Sequence, residues 1–300
     1  MGKSESQGTH PAPKSPCHPA TVSPCHLLTV PIIANTPLAR ATYCVRLEAP
    51  ALARAIRPGQ FLMLRLPGTT DPLLGRPFAL YDTVLDERGQ PVAVDVVYLV
   101  VGKMTGLLAQ LRAGDRLEAW GPLGNGFPDL AGRAHVALVA GGIGQTPFLA
   151  HVRQLLGQRG YGGRPARREA QRVSLFYGVR TAELAAGVED FRAAGAEVHL
   201  ASDDGSLGFR GFVTQLLERQ PRPDHLVGCG PEPMLQALRR LAARWGVPCH
   251  LSLETPMACG LGICFSCMTR VRMGQGWDYR RVCVDGPIFD AADLAWDEAN

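Results

Sequence analysis

The sequence predicts a multidomain chain: an antiparallel β-barrel, a doubly wound α/β parallel sheet and a small cysteine-rich C-terminal segment. Three observations carry this expectation. Short β-type runs broken by Pro and Gly fill 25–129, strand–helix alternation fills 130–248, and four closely spaced cysteines fall within 249–300. Successive short strands close into barrels, alternating strands and helices build parallel sheets, and clustered thiols point to a metal.

At 300 residues, 46% hydrophobic and 19% charged, the chain can bury two cores and carry an appendage. The net charge of +4, from 31 basic and 27 acidic residues spread along the chain, gives no nucleic-acid footprint. Nine cysteines in a chain of this size without a secretory leader imply thiolate chemistry in a reducing cytoplasm, not a disulfide framework. No apolar run approaches a membrane span.

Residues 1–24, rich in Pro, Ser and His, read as a disordered tail, and Cys17-His18 and Cys25-His26 have no scaffold to fix a metal. Ala41, Tyr43, Val45 and Leu47 alternate with polar residues as a half-buried strand does. Arg57-Pro58-Gly59 turns into a strand over 60–66; others cover 92–101 and 116–120, with one helical piece near 106–111. Beyond 130, strands are expected over 135–140, 173–177, 197–201, 224–227 and 250–253. Helices follow the first strand up to about 156 and span 181–194, 211–219 and 233–245, while the Arg-rich stretch 160–172 reads as a solvated loop.

Cys259, Cys264 and Cys267 follow C-x4-C-x2-C, and Cys283 comes after fifteen further residues. That is the ligand spacing of a plant-type 2Fe-2S cluster, which needs a tight loop and one distant strand. Gly260 and Gly262 allow the loop to wrap, and Met257, Leu261, Ile263 and Phe265 supply apolar cover. Structural zinc usually shows two separated short ligand pairs, which this spacing lacks.

Gly141-Gly142-Ile143-Gly144-Gln145-Thr146-Pro147 joins a strand to a helix, a turn that lets backbone approach a pyrophosphate but serves tight packing equally well. Cys229-Gly230-Pro231 follows a later strand, and ligands of such sheets bind beyond the carboxyl ends where both turns fall. In the barrel, Arg76-Pro77-Phe78-Ala79 sets a cation beside a fixed-φ residue at a strand start; it can hold a phosphate or pair with a surface carboxylate. Tyr98 to Thr105 ends at a helix start whose N–H groups suit a pyrophosphate. An iron–sulfur centre moves single electrons and a nicotinamide takes a hydride, so a chain handling both needs a flavin, and the barrel is the domain left for it.

Together these residues resemble the electron-transfer subunits of class 1B dihydroorotate dehydrogenase, in the ferredoxin reductase superfamily, over 25–297. Arg76-Pro77-Phe78-Ala79 sits where that family has its flavin motif, and Val97-Tyr98-Leu99 and Met104-Thr105 fall on its second and third flavin contacts. Gly141, Gly142, Gly144 and Thr146, then Cys229-Gly230-Pro231, resemble its nicotinamide side, as do Asp203-Asp204-Gly205-Ser206 and Gly211-Phe212-Val213-Thr214. Leu253-Glu254, Met257-Ala258-Cys259-Gly260 and Val282-Cys283-Val284-Asp285-Gly286-Pro287 are the most specific pieces. Met104 stands where the family usually has Gly, and is expected to crowd the flavin pyrophosphate.

The resemblance implies FAD in the barrel, a 2Fe-2S cluster on Cys259, Cys264, Cys267 and Cys283, and NAD as acceptor. It also implies a separate FMN-bearing catalytic subunit that oxidises dihydroorotate in de novo pyrimidine (UMP) synthesis, in a heterotetramer of two subunits of each type. Electrons would pass from that FMN through the cluster and FAD to NAD⁺. The chain has no third domain for a pyrimidine, so the donor is expected to dock near 260–265. Rival readings are the flavin subunit of a hydrogenase, sulfur reductase or ferredoxin:NAD(P) oxidoreductase, a redox sensor, and an oxygenase reductase. The last needs a ferredoxin domain larger than the C-terminal stretch. No residue reads as a general acid or base: His199 and His250 lie in expected strands, and Arg180 faces a 2′-phosphate or solvent.

Overall fold

The computed structural model describes residues 27–296; the expected tail over 1–24, with Cys17-His18, lies outside them, as does Cys25-His26. Seven antiparallel strands open the fold: β1 (Leu28–Ala39), β2 (Thr42–Glu48), β3 (Phe61–Arg65), β4 (Arg76–Ala79), β5 (Asp82–Leu85), β6 (Pro91–Leu99) and β7 (Arg116–Leu123). They pair in the order β4-β3-β7-β1-β2-β6-β5. The dipeptide between β4 and β5 closes the barrel, because Leu80 N–H donates to Gln60 C=O (3.1 Å) and Tyr81 N–H to Asp95 C=O (2.9 Å). Val94, Val96 and Tyr98 of β6 fill the interior with Val45, Leu47, Leu62 and Leu64.

Two helices sit in the barrel's connections, α1 (Pro50–Ala55) and α2 (Lys103–Leu108), where the sequence led us to expect one. α1 is six residues long and opens on Pro50, too short for its periodicity to show. β1 was not foreseen either, because Pro31 and Pro37 interrupt its alternation.

The second sheet contains β8 (Arg133–Gly141), β9 (Ala170–Val179), β10 (Glu197–Ser202), β11 (Phe209–Arg210), β12 (His225–Cys229) and β13 (Cys249–Ser252), joined by α3 (Phe148–Leu155), α4 (Val188–Ala193), α5 (Val213–Glu218) and α6 (Glu232–Trp245). These six strands are parallel in the order β11-β10-β9-β8-β12-β13. The winding reverses between β8 and β12, and that switch point is where a crevice opens. α6 shows the local logic: Leu235, Leu238, Leu241 and Ala242 make one buried face, Glu232 lies in the first turn, and left-handed Gly246 ends it. The helix expected over 181–194 is broken. A 3-10 turn at Ala182–Leu184 precedes Gly187, whose φ of +71° stops continuation, and a Cβ there would land on the barrel's Tyr81 hydroxyl. Nor is the Arg-rich stretch a free loop: Tyr161 is buried and residues from Ala170 belong to β9.

After β13 comes the cysteine loop, then a hairpin of β14 (Met268–Met273) and β15 (Gly276–Arg281), then β16 (Ile288–Asp290). β16 returns to the second sheet and pairs antiparallel with β13, Ser252 opposite Ile288. One apolar cluster joins Phe61, Met63 and Leu123 of the barrel to Leu253, Cys267, Val282 and Cys283. Another joins Tyr81, Val97 and Phe127 to the second sheet. Each fully buried large apolar side chain contributes about 1.5–3 kcal/mol, so the three parts share their cores. Asn125 clasps the C-terminal return, its Nδ2 donating to Ile288 C=O (2.9 Å) and its Oδ1 accepting from Ile288 N–H (3.0 Å). Among the described residues, no helix is long and apolar enough to cross a membrane.

Candidate functional site

The cysteine loop wraps because three residues take positive φ: Gly260 (+71°), Gly262 (+80°) and, at a steric cost, Phe265 (+56°). A Cβ on Gly260 would meet Met63 at 2.7 Å and Leu123 at 2.9 Å, so the loop lies directly on the barrel wall. Trp120 Nε1 pins it there by donating to Cys259 C=O at 3.0 Å. Cys264 is exposed, Cys259 half-buried, and Cys267 and Cys283 are buried. Cys264 has Cys259 as its neighbour and Cys283 has Cys267, close enough to act on the protonation of Cys264 and Cys283.

Ser266 hydrogen-bonds Cys264 and, with Cys259 beside it, holds that thiol's pKa down to about 6, whereas burial and the adjacent Cys267 push Cys283 up to about 12. Leu261 N–H donates to Cys259 Sγ at 3.3 Å. Among the described residues, no three His, Cys, Asp or Glu side chains gather for a single ion. A two-iron cluster takes two thiolates per iron, so two pairs with N–H groups turned toward sulfur fit it; a tetrahedral zinc would draw all four to one point.

Across the barrel and the switch point lies a cavity of about 1020 Å³, lined by Leu99 to Val101 on one side and Gly141, Gly142, Gly230 and Pro231 on the other. The glycines there have different reasons. Gly142 has φ +56° and open space where a Cβ would stand, so its backbone is free for close approach by a ligand. Gly141 is crowded by Pro231 and Met234 (2.8 Å each), and a Cβ on Gly144 would land on the carbonyl of Cys229. Gly144, Thr146 and Cys229 thus stand behind the cavity: Thr146 is 6% exposed and the Cys229 thiol is buried, its pKa raised by desolvation.

In the barrel, Arg76 Nη1 donates to the carbonyls of Leu74 (3.0 Å) and Gly75 (3.1 Å), and it enters no ion pair among the described residues. Pairing with a surface carboxylate, the alternative open from sequence, is not seen among the described residues, and a guanidinium without a counter-charge fits a phosphate. Pro77 and Ala79 are half-buried, while Phe78 points inward, edge-on to Tyr98 (6.1 Å, 75°). Val97 and Tyr98 are both buried; Tyr98 donates its hydroxyl to Asn35 Oδ1 at 3.0 Å, so only their backbone and Leu99 remain for a ligand. Met104 is 3% exposed, its side chain filling the barrel core. Thr105 Oγ1 accepts from Val101 N–H (3.0 Å) and Gly102 N–H (3.2 Å), the two residues just before α2.

His199 stacks on Phe176 at 4.6 Å and His250 bonds His225 at 3.0 Å, so neither is poised for proton transfer. Sequence reasoning missed Glu183, which with Arg40 forms an ion pair on the cavity wall; Phe212, which the resemblance places on the nicotinamide side, lines the same cavity and is 66% exposed. Sequence reasoning also did not foresee that Glu254 faces the cavity, where loss of hydration raises its carboxyl pKa. An acid five residues before Cys259 was the available signal for Glu254. Arg180 and Asp203 also line the cavity.

Comparison with known proteins adds to this geometry. Residues 254–295 match the iron-sulfur cluster binding domain of dihydroorotate dehydrogenase B, and residues 30–127 match the oxidoreductase FAD-binding domain. The dihydroorotate dehydrogenase B (NAD(+)) electron transfer subunit of Geobacillus thermodenitrificans is 39% identical over 269 residues, covering 88% of this chain and 96% of that protein. The subunit of the same description from Desulforamulus reducens is 34% identical, covering 89% and 97%. Among solved structures, a chain of the NADH-dependent reduced ferredoxin-NADP oxidoreductase superimposes with TM-score 0.74 at 26% identity, over 89% of this chain and 90% of that one. Phthalate dioxygenase reductase shares the fold at TM-score 0.57 and 19% identity, over 86% and 94%.

Proposed function

The chain belongs to the family of NAD-linked dihydroorotate dehydrogenase B electron transfer subunits, and from that premise we propose that it takes electrons from a separate dihydroorotate-oxidising subunit and delivers them to NAD⁺. It is an oxidoreductase subunit of pyrimidine biosynthesis that uses FAD, a 2Fe-2S cluster and NAD. The observation that carries the reading is the set of four cysteines, Cys259, Cys264, Cys267 and Cys283, inside the stretch matched over 254–295. When bound, the iron–sulfur centre exchanges single electrons, and the flavin exchanges them singly or in pairs as a nicotinamide requires.

The chain's own groups do the holding. Cys259, Cys264, Cys267 and Cys283 would hold the cluster, and the N–H of Leu261 would stabilise charge on the Cys259 sulfur. Arg76 neutralises a flavin phosphate, with Pro77, Ala79, Val97 and Leu99 lending backbone beside the ring. Gly142 lets the main chain reach the nicotinamide nucleotide's pyrophosphate, while Gly141, Gly230 and Pro231 shape the floor. The Asp203 carboxylate on the cavity wall accepts ribose hydroxyls and disfavours a 2′-phosphate, which supports NAD over NADP. Leu261, Ile263 and Phe265 expose an apolar rim around Cys264, 43%, 74% and 60% accessible, where the FMN-bearing partner docks in a cytoplasmic assembly of two subunits of each type.

The test is reconstitution with an FMN-bearing dihydroorotate dehydrogenase subunit. Orotate formation coupled stoichiometrically to NAD⁺ reduction is expected. A chain that instead turns over reduced ferredoxin with NAD(P), and ignores dihydroorotate, would support the second reading, which the likeness to the ferredoxin-NADP enzyme favours.

A further inference from the structure

The Arg-rich insert leads away from the cofactor sites. Residues after α3 fold back on the barrel so that Gly162, at φ +60°, sits on the stem of Arg57, and Gly126 stands on the other side, a Cβ there 3.7 Å from Cζ. Arg57 is half-buried and clamped by backbone on two sides. Its guanidinium makes no hydrogen bond or ion pair among the described residues, and the charged neighbour that acts on it is Arg164. Burial first, and then Arg164, lower its pKa. Between them lies a cavity of about 230 Å³ backed by Phe127, Tyr161 and Pro165.

The acids on its wall are already engaged. Asp129 pairs with Arg167 and accepts from Ala131 N–H, and Glu169 accepts from Leu130 N–H and the Gln154 amide. Arg159 is tied to Asp82. Asp129 also acts on the exposed Arg164, so the uncompensated charge is that of half-buried Arg57, which is costly unless an anion completes the set. The planar donor forks of the two arginines match the oxygens of a tetrahedral oxyanion. The volume is below the range of about 300–1,000 Å³ usual for sites of drug-sized ligands, so a dinucleotide does not fit.

We propose that this cavity binds a small phosphate-bearing anion, clasped between Arg57 of the barrel and Arg164 of the insert. Because the two arginines come from different domains, the bound anion ties the flavin half to the nucleotide half.

Calorimetric titration of the full chain with pyrophosphate and inorganic phosphate tests this, at constant ionic strength and with NAD⁺ present to fill the larger cavity. One saturable site is expected. Arg164→Met, at an exposed position, and Arg57→Met should each raise Kd about tenfold or more, with flavin and cluster absorbance unchanged. Absence of saturable heat, unaltered affinity in the Arg164→Met protein, or equally tight binding of malonate overturns the proposal.

Discussion

Cys264 is the cluster thiol that stands in solvent, while Cys267 and Cys283 belong to the core. Cys264→Ser is therefore expected to bleach the iron–sulfur absorbance and stop dihydroorotate-linked NAD⁺ reduction, while NADH-to-dye activity survives. Loss of both activities would mean that the cluster holds the fold together. Arg76→Ala should first weaken flavin retention, read as FAD content after gel filtration, because no carboxylate among the described residues competes for that guanidinium. The glycines of the first turn separate by the same kind of argument. Gly144→Ala drives a methyl into the Cys229 carbonyl, and overpacking of this sort costs about 1–3 kcal/mol in urea unfolding. Gly142→Ala meets no atom and pays about 1–2 kcal/mol for its left-handed backbone, but its methyl projects into the cavity and should raise the KM for NADH. From the sequence these glycines were interchangeable; only the neighbour opposite each one tells packing from approach.

At the level of elements, the cysteine loop depends on β7. Trp120 reaches from that strand to the carbonyl of Cys259. Trp120→Phe keeps the ring and removes the donor, a loss worth about 1 kcal/mol, and iron should then leave faster to a chelator with little change in global stability; unchanged iron release would deny the loop this support. The elements that sequence made legible were those with strong local signals: the buried run of β8 into its glycine turn, and α6 with its apolar stripe and glycine stop. Those that escaped are governed by distant partners. β1 carries two prolines and is held by β2 and β7, α1 is too short to show a period, and the helix expected across Gly187 is stopped where Tyr81 of the barrel docks. The thiol spacing was fully readable, whereas Glu183 came to the nucleotide cavity only through tertiary packing.

For the molecule as a whole, the order of domains could be read from changes in pattern, but the sharing of one core by all three parts could not. That sharing has a pH signature. His151 is fully buried, stacked on Phe127 at 4.1 Å, and burial lowers its pKa from 6.5 to about 3. His225 is lowered to about 4 by burial and by His250. Both folded-state values lie below the unfolded one, so stability is complete above pH 6.5 and falls as pH drops toward 4, where the unfolded chain binds protons that the native state refuses. Between pH 7 and 5 each ring should cost about 2 kcal/mol, measured as a falling urea midpoint; a flat midpoint across that range would mean these rings are not held neutral. The antiparallel pairing of β13 with β16 has a different consequence. Since the chain leaves the sheet at Ser252 and re-enters it directly opposite at Ile288, everything between them is topologically the tip of one hairpin. Closing a longer or shorter tip changes the entropy only logarithmically. Evolution or an engineer can thus lengthen or shorten the redox head on this stem, and so reshape the surface offered to the donor, as long as its seat on Met63, Leu123 and Trp120 is kept.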